Sequence, residues 1–227
     1  MSCESSASRT CPSRAHAASA DPTSPLPLRL LVLLHGFEDE PDRWLDAVGP
    51  IGVAGDPSVE LLVPRGPHQQ PGGPSWLPGH EPDELTVTAT LDDLDRQIEA
   101  ARGRIGCALG EVVVGGFSQG AGAALALALR DREPEGGSLL GCFAVCGMLW
   151  PPETVSYDFA AADRTSFLIV HGSGDETVPV QQGRSAARVL ERHGLAARYC
   201  EHDGAGHDLD AAYLGDVSAW LAELTGA

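Results

Sequence analysis

"VVVGGFSQGAGAALALALR", Val112 to Arg130, is the stretch on which the reading of this chain turns. Three β-branched residues run into two glycines, a single serine stands at position 118, and a segment of alanine and leucine follows. A strand that turns sharply into a helix forces its turn residue into a strained backbone conformation, where neighbouring side chains would collide. Gly116 and Gly120 remove those collisions, and G-F-S-Q-G is an instance of G-x-S-x-G. Ser118 is therefore expected above the carboxyl edge of a sheet, at the start of a helix whose dipole and free N–H groups favour developing negative charge. A short glycine motif alone marks a tight turn. The strand before this one and the helix after it give it weight.

A serine hydroxyl is a poor nucleophile until a base takes its proton, and an imidazole base needs a carboxylate to fix its tautomer. After an elbow of this kind the acid and the histidine are expected beyond later strands, in that order. Asp175 fits the acid: in "FLIVHGSGDETVP" it lies directly past an aliphatic run. His207, in "YCEHDGAGHD", lies past the last candidate strand and ahead of the final helix. His202, His171 and His193 read as ordinary core or surface histidines, and Asp203 and Asp208 as turn and helix-start residues. An oxyanion needs two convergent donors in place before reaction. The backbone N–H of Gln119 is one by position, and that of Phe37, in the loop after "LLVLLHG", is the best candidate for the other. His35 then braces that loop.

Around this centre, short aliphatic runs alternate with helix-length amphipathic segments, the pattern of a parallel sheet covered on both faces. Strands are expected at 28–36, 59–64, 111–116, 139–147, 166–172 and 197–202, with helices over 42–49, 87–102, 118–130, 180–193 and 209–224. Residues 64–84 form the longest irregular piece, of the kind that often carries function. The fold class is α/β, with a mostly parallel central sheet in one domain over 28–227. Residues 1–27, rich in Ser, Ala and Pro, read as a disordered extension without the apolar run of a secretory signal.

The chain has 227 residues and a formal net charge of −17, and all fifteen of its basic residues are arginine. It offers no electrostatic footprint for phosphate backbones or anionic lipid, so no nucleic-acid partner is expected. No apolar run approaches the length of a membrane span. The six cysteines are scattered, with no C-x-x-C and no zinc-ligand spacing, and the four internal ones read as reduced core thiols in a cytoplasmic protein.

With Ser118, Asp175, His207 and the "LLHGF" loop in place, the chain resembles the phospholipase/carboxylesterase family of α/β-hydrolases, which includes bacterial carboxylesterases and acyl-protein thioesterases. "LLHGFED", "PSW", "GGFSQGAG", "HGSGDETVP" and "DGAGH" all occur in the family's order over roughly residues 28 to 224. The resemblance implies an α/β-hydrolase fold, a catalytic Ser118–His207–Asp175 triad, oxyanion donors at the Phe37 and Gln119 backbones, and no metal or organic cofactor. Two departures stand out. Glu38-Asp39 replaces the family's common Gly-Asp, and "PSWLPG" replaces its "PSWF". About twenty residues separate the strand at 139–147 from that at 166–172, too few for a large lid. An open site for small to medium acyl groups is expected; Trp76, Met148, Leu149 and Trp150 are its candidate pocket residues, with core packing the equally open alternative for such an apolar cluster.

The leading reading is a serine hydrolase that cleaves a small-molecule carboxylic ester or thioester through an acyl-enzyme. Transfer of the acyl group to an alcohol, amine or peroxide is the same chemistry with another acceptor. A noncatalytic binding module on the hydrolase scaffold is the alternative from a different class.

Overall fold

The computed structural model describes residues 27–53, 55–79, 83–130 and 137–226. The expectation for the N-terminal extension therefore falls, save for position 27, outside the described residues.

Six strands make one sheet: β1 (Leu30–Leu34), β2 (Glu60–Leu62), β5 (Val112–Phe117), β6 (Gly141–Val145), β7 (Ser166–Gly172) and β8 (Ala197–His202). Their order is β2-β1-β5-β6-β7-β8, and each neighbouring pair is parallel. A sheet buried on both faces explains why the strands read as unbroken aliphatic runs. Successive side chains still part to opposite sides. Leu30, Val32, Leu34, Val112, Val114, Cys142, Ala144, Phe167 and Ile169 enter one core, and Leu31, Leu33, Val113, Phe143, Val145, Leu168 and Val170 enter the other.

The first core is closed by α2 (Glu84–Ile105), α3 (Gln119–Ala128) and α4 (Val180–Arg192), the second by α1 (Asp42–Ala47) and α5 (Ala211–Thr225). Capping sets the ends of α2. The Asp83 side chain accepts the Thr86 N–H at 3.0 Å, and Gly106 takes the left-handed φ of 65° that ends the helix. The helix runs three residues beyond its expected span at each end.

From β1 the chain steps outward to the edge strand β2, then returns to lay β5 on the other side of β1, with Leu34 in register with Gly116. That reversal opens a crevice beyond the carboxyl ends of β1 and β5, the place where open α/β sheets bind ligands. The described residues of the stretch 64–84 are less irregular than its composition implied. They hold an antiparallel hairpin of β3 (His68–Gln70) and β4 (Gly73–Ser75), whose three-residue strands are too short to show a period. Between β6 and β7 the only helical piece among the described residues is a single 3₁₀ turn, Ala160–Ala162, and no large lid covers the carboxyl edge. Cys107, Cys142, Cys146 and Cys200 are free thiols, Cys200 half-buried and the rest buried. Among the described residues no helix is long and apolar enough to cross a membrane.

Candidate active site

Ser118 lies between the last residue of β5 and the first of α3, with φ 55° and ψ −118°. Its N–H donates to the Val145 carbonyl of β6 at 2.9 Å, and its carbonyl accepts the Ala121 N–H at 3.0 Å, so neighbouring elements hold the strained turn from both sides. The flanking glycines serve close approach. Neither has a positive φ, but a Cβ on Gly116 would lie 2.1 Å from the Gly120 carbonyl oxygen, and one on Gly120 would lie 2.3 Å from those of Leu34 and His35. The elbow is thus packed directly onto the exit of β1.

The structure brings the three residues of the Ser, Asp, His reading together. The Ser118 hydroxyl is 2.8 Å from His207 Nε2, and His207 Nδ1 is 2.7 Å from Asp175 Oδ2. Because the carboxylate accepts, Nδ1 carries the proton and Nε2 is left to receive that of the serine. The Phe117 ring lies against the His207 imidazole with centroids 4.8 Å apart. Burial pushes the Asp175 carboxyl upward, but the hydrogen bonds from His207, Val178 N–H and Thr177 N–H, with the His207 charge, outweigh it and hold the group below the usual carboxylate range.

The rival histidines and acids go elsewhere. His202 pairs with Asp216 at 2.7 Å, His193 stacks on Phe159, Asp203 accepts the Ser173 hydroxyl, and Asp208 pairs with Arg43. His171, read as an ordinary core histidine, is wholly buried behind Asp175, with Nε2 3.3 Å from the carboxylate.

His35 braces the loop after β1. Its Nδ1–H donates to the Gly36 carbonyl at 2.8 Å and its Nε2 accepts the Gly66 N–H at 2.9 Å, which pairs both nitrogens of the neutral ring. Desolvation by burial lowers its pKa. The Gln119 side chain is a second brace. Its Oε1 accepts the N–H groups of Trp76 and Leu77 at 2.8 and 3.3 Å, and its Nε2 donates to the Gly79 carbonyl. The glutamine after the serine thereby ties α3 to the loop beyond the hairpin.

A cleft of about 580 Å³ opens over Ser118 and His207. Phe37, Gln119, Leu77, Met148, Trp150, Pro151 and Val178 are among its lining residues. Two expected pocket residues are not. Trp76 is buried in the core, with Nε1–H donating to the His35 carbonyl at 2.7 Å, and Leu149 packs partly buried against the same core. Sequence adjacency could not say which of Trp76 and Leu77 faces the cleft; the Gln119 and His35 bonds turn the indole inward.

The Cys146 Sγ, His171 and Asp175 ligand atoms lie within 4.8 Å of one another. They do not form a good metal set: burial and the Asp175 charge push the Cys146 thiol up to about 12, and the His171 Nε2–H donates to the Val178 carbonyl at 2.8 Å.

Comparison with known proteins agrees with this architecture. An acyl-protein thioesterase 1 homolog 1 from Dictyostelium discoideum is 24% identical over 194 residues, 78% of this chain and 82% of that protein. Among solved structures, esterase PE8 superposes with a TM-score of 0.73 at 28% identity, over 88% of this chain and 94% of its own. The Bacillus cereus carboxylesterase does so with a TM-score of 0.69 at 18% identity, over 90% of each chain. The phospholipase/carboxylesterase family model matches residues 21–225, so this chain belongs to that family.

Proposed function

We propose that the protein is a serine hydrolase that cleaves carboxylic esters or thioesters of small to medium acyl groups through an acyl-enzyme. The observation that carries this reading is the continuous hydrogen-bonded chain Ser118–His207–Asp175, whose Ser118 and His207 line the cleft while Asp175 is buried behind them. His207 Nε2 takes the Ser118 proton as Oγ bonds to the substrate carbonyl carbon, and the imidazolium is stabilised by the Asp175 carboxylate. The backbone N–H groups of Gln119 and Phe37 receive the oxyanion. Collapse of the tetrahedral intermediate breaks the bond to the alcohol or thiol, which takes the proton from His207. A water molecule then repeats the sequence and frees the acid and Ser118.

The cleft volume lies within the range of ligand pockets for small molecules. Leu77, Met148, Trp150 and Val178 supply an apolar wall for a modest acyl chain, while the absence of a large lid between β6 and β7 leaves the site open to water as acceptor. The esterases and thioesterases in the family support ester and thioester substrates. Free thiols at Cys107, Cys142 and Cys146, all buried, fit a reducing cytoplasmic setting.

The test is labelling with a small fluorophosphonate, with peptide mapping, beside turnover of a short-chain nitrophenyl ester. A single adduct on Ser118 that abolishes turnover is expected. Ser118→Ala should fold and lose kcat by at least ~10³, whereas His202→Ala should be far milder than His207→Ala. An unlabelled Ser118 in folded protein would overturn the reading and favour a noncatalytic scaffold.

A further inference from the structure

We infer that His171 is a positioning residue: a second imidazole, buried behind the acid, that shares the carboxylate oxygen orienting His207. The inference rests on the catalytic reading of Ser118, His207 and Asp175 given above.

A carboxylate offers about four acceptor sites on two oxygens. Asp175 Oδ1 accepts the N–H groups of Thr177 at 2.9 Å and Val178 at 2.8 Å. Oδ2 accepts His207 Nδ1–H at 2.7 Å, and His171 Nε2 lies 3.3 Å away. The Val178 carbonyl, 2.8 Å from His171 Nε2, can only accept, so the proton is on Nε2 and points toward that carbonyl, on the same edge of the ring that faces Oδ2 at 3.3 Å. Two hydrogen bonds and one close polar contact thereby tie His171, Asp175 and Val178 together: imidazole to the Val178 carbonyl, Val178 N–H to Oδ1, and the imidazole N–H edge 3.3 Å from Oδ2.

What argues against simple packing is the other face of the ring. His171 Nδ1 is buried with no hydrogen-bond partner, and Gly183 of α4 covers it so closely that a Cβ there would lie 2.6 Å from Nδ1. A wholly buried site needing only volume would be filled better by an aliphatic side chain, since an orphaned acceptor is destabilising. The imidazole is explained by the edge it presents to Asp175. The surrounding groups are fixed as well. Cys146, just past the end of β6, faces the cluster as a thiol, and Glu201 of β8, the register partner of His171, is held by Arg184 of α4 at 2.6 Å. With Nδ1 unpartnered and Nε2–H committed, His171 supplies a fixed dipole to Oδ2 and leaves the negative charge of Asp175 for the imidazolium on His207.

Three substitutions separate positioning from filling. His171→Gln keeps an N–H that reaches toward Oδ2, His171→Asn keeps one that falls short, and His171→Leu has none. The assay is nitrophenyl-ester turnover as a function of pH, with melting temperature and fluorophosphonate labelling of Ser118 measured in parallel. Asn and Leu are expected to lower kcat about 10- to 100-fold with KM little changed, the size of effect seen when a partner orienting a site residue is removed. Gln should restore most of the loss. In His171→Leu, Oδ2 without the positive end of the imidazole dipole beside it holds the His207 proton more tightly, so the ascending limb of kcat/KM should move to higher pH.

Wild-type kcat and an unmoved limb in folded Leu and Asn variants would overturn the proposal. So would activity that follows melting temperature, with Gln no better than Leu. Wild-type protein that fails to label on Ser118 sinks the triad reading itself; normal wild-type labelling with no effect of position 171 sinks only the role of His171.

Discussion

Among the described residues, three that are not glycine hold a positive φ: Glu38 at 52°, Ser118 at 55° and Cys146 at 50°. All three follow the carboxyl ends of β1, β5 or β6; Glu38 and Ser118 line the cleft, and Cys146 is buried beneath it beside Asp175. Strain concentrated there is what a site held by its surroundings is expected to show. Ser118 is stretched between β6 and α3, and Glu38 is held by its N–H donating to the Ser75 hydroxyl at 2.9 Å. Where the resemblance led us to expect glycine, Glu38 meets the tip of the β3–β4 hairpin. A Cβ on Gly72 would come 2.7 Å from its carboxylate, and one on Gly73 would come 2.9 Å from its carbonyl. Removing the left-handed strain should outweigh the added freedom of the unfolded chain. Glu38→Gly is therefore expected to raise stability by about 0.5–1 kcal/mol, seen as a melting temperature a few degrees higher. A variant that melts lower would show that the Glu38 side-chain contacts stabilise more than its backbone costs. Ser118, Asp175 and His207 were legible from residue type and chain order. His171 and Leu77 were not, because their roles depend on which way neighbouring side chains face.

At the scale of elements, the junction of β5 and α3 carries the site. α3 is built almost wholly from Gly, Ala and Leu and is buried along its length, so it can approach the sheet closely. Gly122 lies against the Trp150 indole, where a Cβ would come 2.4 Å from Nε1, and Gly120 lies on the exit of β1. Gly120→Ala should therefore force α3 away from β1 and separate Ser118 from the Phe37 loop. The expected cost is about 3 kcal/mol or more, the upper end for overpacking, read from a denaturant titration. A midpoint unchanged from the parent would mean that the elbow relaxes without resistance. The sequence pattern located every strand of the main sheet to within a few residues. The β3–β4 hairpin escaped it because three-residue strands with Pro and Gly at the turn carry no alternation.

For the whole molecule, the dominant quantities are its charge and its buried histidines. With a net charge of −17, self-repulsion is strongest at low salt and eases as acids protonate. His35 works the other way. Its folded pKa lies below the ordinary value, so the unfolded chain binds the extra proton first as pH falls. The stabilisation from neutral His35 is complete above about pH 6.5 and is lost as pH drops toward its folded pKa. Asp175 adds a second window, since its depressed pKa gives stability present above about pH 3.9 and lost below. Urea unfolding at fixed salt should therefore show stability declining from pH 7 to pH 5, and His35→Gln should flatten that slope. An equal slope in the variant would remove His35 from the account.

The sequence by itself determined the fold class, the elbow and the chain order of the serine, aspartate and histidine of the proposed triad. These follow from local rules: aliphatic runs for buried strands, glycines for a tight turn, and an imidazole and a carboxylate for an activated hydroxyl. Only the tertiary structure decided that Trp76 turns inward while Leu77 faces the cleft, that Gln119 ties two loops together, and that His171 sits behind Asp175. Those outcomes depend on side-chain direction and on contacts between residues far apart in the chain, such as His35 with Gly66 and Asp175 with His207. No local period in the sequence encodes them, because they exist only once β1, β5, β6 and β7 lie side by side.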